Sequence, residues 1–125
     1  MLILPIKGKW FYLIRTHKKL EEYREIKPYY DTRFKRVFKA SANDAGALVG
    51  EDGQEVRETC KKWIGLKNGY SDRAPVIYIF ASLKIGYGRE DWGAERGKKY
   101  YILYIHSVSE ERPRRCAEDV EGGIF

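Results

Sequence analysis

The sequence predicts an α+β fold, a small β-barrel of about five to six strands flanked by two or three short helices. Three observations carry this. Residues 76–80 form a continuous apolar run that passes into alternation, with Ala81, Leu83 and Ile85 separated by Ser82 and Lys84, the pattern of a long half-buried strand. Residues 100–108 form a second strong strand, and a glycine-bearing connection joins the two, so they are expected to pair. Helical periodicity is confined to short stretches, which argues against alternating βα units and a parallel sheet.

The remaining elements follow in chain order. Leu2-Ile3-Leu4 is a short apolar run ended by Pro5, as suits a strand at a sheet edge. Over residues 8–16, Trp10, Leu13 and Ile14 recur at helical spacing with Phe11 beside them, which predicts a first short helix. Residues 19–26 read as a strand with Leu20, Glu22, Arg24 and Ile26 on one face and Glu21, Tyr23 and Glu25 on the other. Glu22 and Arg24 therefore sit between two apolar residues on the side that should face inward, where charge is costly unless paired or used. Pro28 suits a first helical turn. Tyr30, Phe34, Val37 and Phe38 then form an apolar stripe, and Arg33, Lys35, Arg36 and Lys39 take the remaining surface.

Residues 40–54 are rich in Ala, Gly, Asn and Asp and read as an exposed loop. Val56, Cys60 and Trp63 fit a helical turn, with Cys60 as a small core residue. Asn68-Gly69 marks a turn with a strand before it. The charged tail after Ser109 reads as peripheral. With 125 residues and no repeat or linker, the chain is one domain spanning 1–125, with 40–60 as an insertion loop and 109–125 as a tail.

Lys and Arg total 24 against 18 Asp and Glu, a formal charge of +6. The acidic residues gather in 51–58 and 110–121, leaving a basic centre that suits a phosphate-bearing partner. Cys60 and Cys116 lie far apart without metal-ligand spacing, which points to a reducing compartment. No stretch approaches the roughly 18 apolar residues that would cross a membrane, and the first six residues are too short for a signal-peptide core. A cytoplasmic protein with no membrane partner is expected. His17 and His106 are too few for a metal site, and no cofactor is expected.

Residues 14–28 carry a resemblance. Their text holds His17, Lys19, Glu22 and Arg24 at the spacing of the signature G-x-K-x-x-E-x-R, with His17 where the signature has Gly. The stretch resembles the ASCH family, in a subgroup common in phage and bacterial genomes. The run from Glu21 to Asp31, Lys67-Asn68-Gly69-Tyr70, Ile85-Gly86-Tyr87-Gly88 and Trp92-Gly93-Ala94-Glu95 are similar to that subgroup as well. The resemblance implies a PUA-like barrel with a cleft beside the signature, and RNA-related roles. Some members are assigned amidohydrolase activity on acetylated cytidine, others ribonuclease activity. In the amidohydrolase-like members the signature lysine, here Lys19, is the proposed catalytic group, and Thr stands where this chain has Glu22.

The residues themselves allow several roles. Lys19 works as a base or nucleophile if burial or nearby cations lower its pKa, with Glu22 as its catalytic partner; the two also suit a plain ion pair. Arg24 and Lys27 would favour that lowering, and Glu22 would oppose it. As ligand groups, a carboxylate accepts from amino groups of bases and arginine grips phosphate. Tyr23, Tyr70 and Trp92 offer aromatic faces for stacking, and Arg33 and Arg36 suit either a phosphate backbone or a solvated helix face. Three functions stay open: binding of RNA or a modified nucleoside or nucleotide; hydrolysis of a modified nucleoside or RNA; and a protein-interaction module using the segments 40–60 and 109–125.

Overall fold

A computed structural model of the chain describes residues 1–114. Its backbone is a mixed five-stranded sheet, a two-stranded hairpin, two α-helices and one short 3₁₀ turn. The elements are β1 (Ile3–Ile6), α1 (Gly8–Arg15), β2 (Glu21–Glu25), α2 (Pro28–Phe38), β3 (Ala40–Ala42), β4 (Leu48–Gly50), β5 (Lys62–Asn68), β6 (Val76–Tyr87) and β7 (Lys99–Ser109). The 3₁₀ turn, Glu90–Trp92, lies between β6 and β7.

The two strongest predicted strands form the middle of the sheet. β6 and β7 pair antiparallel from Tyr78↔Ser109 to Tyr87↔Lys99. β5 ends at Asn68, the turn signal read in the sequence, and pairs antiparallel with the other side of β6. β1 adds to β5 in parallel, and β2 adds to β7 antiparallel, giving the order β1-β5-β6-β7-β2.

The core lies on one face of this sheet. α1 contributes Phe11 and Ile14, and α2 contributes Phe34, Val37 and Phe38, the stripe expected from its spacing. They meet Leu4, Ile64, Leu66, Ile79, Leu83 and Leu103 from the strands. Such a buried layer is the main favourable contribution to folding. Tyr101 is fully buried within it. Its hydroxyl donates to Asp31 at 2.6 Å and accepts from the Ala42 N–H at 2.8 Å, tying β7 to α2 and β3. Burial pushes its phenol well above the ordinary value.

Four expectations are revised. The α+β architecture and flanking helices are present, but β1 and β2 are both sheet edges, and no backbone pairing joins them among the described residues. Their gap is spanned by a side chain instead, Arg24 Nη2 donating to the Pro5 carbonyl at 3.0 Å. Residues 40–60 are not all loop: β3 and β4 form a hairpin that buries Ala40 and Leu48. Three-residue strands are too short to show alternation, so composition masked them. Residues 55–63 form no helix; Trp63 belongs to β5 and Cys60 is exposed. The reason is that Thr59 N–H donates to the Leu83 carbonyl, laying this segment along β6. Finally, Leu20 is 43% exposed, because β2 begins only at Glu21 and Lys19 turns inward in its place.

The tail is described only to residue 114; Cys116 and residues 115–125 lie outside the described residues. Among the described residues no helix is long and apolar enough to cross a membrane.

Candidate functional site

The two open edges of the sheet create the site. Between the ends of β1 and β2, the starts of α1 and α2 and the β5–β6 turn lies a hollow of about 580 Å³. β2 supplies Glu22, Tyr23, Arg24 and Glu25; the helix starts supply Lys7, Gly8, Trp10, Lys27 and Tyr30; the turn supplies Asn68, Gly69 and Tyr70.

Its base is a row of three charges, of which Lys19 and Glu22 are buried and Arg24 nearly so. His17 has φ 63°, in the left-handed region, and turns the chain sharply after α1. Lys18 and Lys19 N–H groups then both donate to the Leu13 carbonyl, which draws Lys19 under the helix. Lys19 Nζ donates to Glu22 Oε1 at 2.5 Å, and Arg24 Nη2 donates to Glu22 Oε2 at 2.7 Å. Arg24 continues to the Pro5 carbonyl and, at 3.3 Å, to the Tyr30 hydroxyl. The three side chains are 1%, 8% and 11% exposed in the order Lys19, Glu22, Arg24. Charges this dry persist only because each is paired and hydrogen-bonded.

The surroundings shift two of them. Burial lowers the Lys19 ammonium below its ordinary value, with the Glu22 carboxylate opposing. Arg24 is held above its ordinary value: burial works against its charge, but Glu22 and the Tyr30 hydroxyl outweigh it. Lys19 also lies between two rings, 5.1 Å from Trp10 and 5.4 Å from Tyr23. Its ammonium does not line the hollow; it stands behind Glu22.

The walls are held from outside by the β6–β7 connection. The Tyr23 hydroxyl donates to Glu21 and accepts from the Arg89 N–H at 2.9 Å. A Cβ on Gly88 would stand 2.6 Å from Tyr23 Cζ and 2.7 Å from Ala94 Cβ. Gly93, at φ +100°, approaches Trp10 so closely that a Cβ would stand 3.0 Å from its ring. These glycines are spacers that let the connection press on the two rings. Gly88→Ala is expected to lower stability by about 1–3 kcal/mol in urea unfolding, as overpacking does. Gly86→Ala, whose Cβ would meet Ile102 at 3.5 Å, is the control; equal losses for the two would refute close packing at Gly88.

Both helices begin at the hollow. Neither N-cap residue, Lys7 nor Lys27, makes a side-chain cap bond. The first N–H groups of α1 add positive potential there, whereas α2 begins at Pro28, which has no N–H, and its Tyr30 N–H donates to the Lys27 carbonyl.

The site residues read from the sequence divide clearly. Lys19, Glu22 and Arg24 come together, and Tyr23, Lys27 and Tyr70 line the same hollow. Arg33 and Arg36 do not: they lie on α2 outside the lining, and the Arg33 guanidinium stacks 3.5 Å from the Tyr29 ring. Trp92 also lies outside, under the Arg89 guanidinium at 4.2 Å. Trp10, Asn68 and Tyr100 were missed as site residues. Trp10 was absorbed into an apolar helical stripe, although it stands at the start of α1.

No cluster of three or more His, Cys, Asp or Glu able to hold a metal occurs among the described residues. The chain matches no family profile, no curated protein and no solved structure.

Proposed function

We propose that the hollow binds a nucleotide, presented within RNA or as a modified nucleoside or nucleotide. One observation carries this reading: the Glu22 carboxylate is almost wholly buried and pinned between two cations, yet it borders an open, aromatic-walled hollow. A carboxylate has about four acceptor positions, and Lys19 and Arg24 take one on each oxygen. The rest can accept from a base amino group. Trp10, Tyr30 and Tyr70 offer ring faces, and Tyr70 is 88% exposed on its turn. Lys7, Lys27 and the start of α1 suit phosphate.

The ASCH resemblance supports the same reading. The position where its signature has Gly is His17, and His17 adopts the left-handed conformation that favours glycine. A PUA-like barrel is compatible with a sheet whose two edges are linked by the Arg24–Pro5 bond.

Hydrolysis of a modified nucleoside or RNA is the second reading, favoured by the lowered pKa of Lys19. In that case Lys19 acts through Glu22, since its ammonium lies behind the carboxylate rather than in the hollow.

The test is a titration of nucleoside monophosphates and short RNAs, with product formation followed in the same samples. Affinity is expected to fall between about 50 and 200 mM salt as lysine–phosphate contacts are screened. Absence of binding to any of them at the lower salt removes the nucleotide reading. Turnover of acetylated cytidine or RNA that survives Lys19→Ala removes the hydrolytic reading that rests on Lys19.

A further inference from the structure

The core covers one face of the sheet, and α1 and α2 both bury their apolar sides there. The register shows what the opposite face carries. Trp63 on β5 pairs with Phe80 on β6, and Phe80 pairs with Ser107 on β7. One row further, Gly65, Tyr78 and Ser109 stand side by side. Beyond the bulge at Phe80/Ala81, Ser82 pairs with Tyr104. The result is a layer of rings separated by small residues, with Trp63 and Phe80 centroids 5.0 Å apart. Trp63, Tyr78, Phe80 and Tyr104 are each only partly buried.

Cations stand at two places on this layer. Lys67 follows Gly65 by two positions and so shares its face. It makes no ion pair among the described residues. Lys84 Nζ lies 4.3 Å from the Tyr104 ring. The nearby acid, Glu58, accepts a hydrogen bond from Ser82 and faces His106 at 3.7 Å.

We propose that this face is a stacking platform for single-stranded nucleic acid. Every base has a π-face, so a layer of part-exposed rings holds successive bases without selecting a sequence, while lysines follow the phosphates. The charge favours this occupant over a second copy of the chain, because a +6 protein would bring the same lysines against each other. The platform stands on these strands and not on the hollow: Asn68, which lines the hollow, follows Lys67 in β5 and so points to the other face of the sheet. Lys67 and Trp63 are four strand residues apart, roughly 13 Å, the reach of a short run of nucleotides.

The experiment measures binding of labelled oligo(U) of about 3 and about 12 nucleotides by fluorescence anisotropy, to the wild type, Trp63→Ala, Lys67→Glu and Lys27→Ala. The longer strand is expected to bind about tenfold tighter or better. Trp63→Ala is expected to weaken it by about tenfold, as loss of one stacked base does, and to leave the shorter strand unchanged. Lys67→Glu, which removes no core group, is expected to weaken the longer strand and flatten its salt dependence. Equal binding of oligo(dT) supports recognition by rings and phosphates alone; tighter binding of oligo(U) supports an RNA strand.

The platform is overturned if length brings no gain, or if both variants, folded by circular dichroism, bind the longer strand as the wild type does. It is also overturned if the chain self-associates in sedimentation and Lys67→Glu abolishes that association, which assigns the face to a second copy. Failure of the hollow looks different: the short strand does not bind and Lys27→Ala has no effect, while the longer strand still depends on Trp63.

Discussion

Glu22→Gln is expected to cost about 3–5 kcal/mol of stability at neutral pH, because it strands two buried cations without a counter-charge. Lys19 and Arg24 both donate to this carboxylate, and neither side chain is more than 11% exposed. The loss should shrink as pH rises. Burial already lowers the Lys19 pKa from 10.5, and Glu22 is the main influence raising it, so removing that charge lowers it further. A lysine whose folded pKa lies below its unfolded value releases its proton first in the folded state. The unfolded state then binds more protons across the window up to about 10.5, and stability rises with pH there. Below the folded pKa the full cost of the buried ammonium is present. Urea unfolding of wild type and variant at about pH 7 and about pH 9.5 checks this. A deficit below about 1 kcal/mol, or one that ignores pH, would mean that water reaches the ammonium and the pair is not dry. Lys19→Met added to Glu22→Gln is expected to recover part of the loss, since contacting residues do not act independently.

Arg24→Lys should be the most damaging conservative change for ligand binding. The charge is kept but the planar fork is lost, and an ammonium cannot serve Glu22, the Pro5 carbonyl and the Tyr30 hydroxyl together in this geometry. Nucleotide affinity is expected to fall about 10- to 150-fold, the range for one charge-assisted hydrogen bond of about 1.5–3 kcal/mol. Thermal stability should fall with it, because the link between the two edge strands is cut. Calorimetry with the best-binding nucleotide measures the first and a melting curve the second. Unchanged affinity beside a lowered melting temperature would make Arg24 a structural clamp with no part in binding.

Much of this was legible in the residues, for physical reasons that differ by element. β6 and α2 announced themselves because each has one face in the core, and a buried face leaves a period of two or of 3.6. The Glu22–Arg24 pair was legible for the opposite reason: it put charge where the alternation required oil. β3 and β4 were hidden because three residues are too few to alternate, and their Ala and Gly content reads as loop. Cys60 was misplaced because apolar spacing over residues 56–63 imitates a helical turn, while the backbone pairing of Thr59 with Leu83 extends the segment. Trp10 was placed in the core stripe of α1, and Trp92 in the ligand site. Trp10 packs against the core and also lines the hollow, whereas Trp92 lies outside the hollow and the glycine after it presses against the Trp10 ring. Nothing local encodes that meeting of residues 10 and 93, because the seam between the sheet edges exists only in the assembled chain.

The parallel partnership of β1 with β5 and the pairing of β2 with β7 set the order in which the molecule can be completed. The first strand has no backbone partner until residues 65–68 have been made, and the second none until residues 100–104 have been made. As the chain leaves the ribosome, Leu2, Leu4 and the charged row at Lys19, Glu22 and Arg24 must therefore wait, solvated, for more than half the protein to follow. Pairings this distant in sequence make for slow folding, and the dry cluster of charges can form only in the closing step.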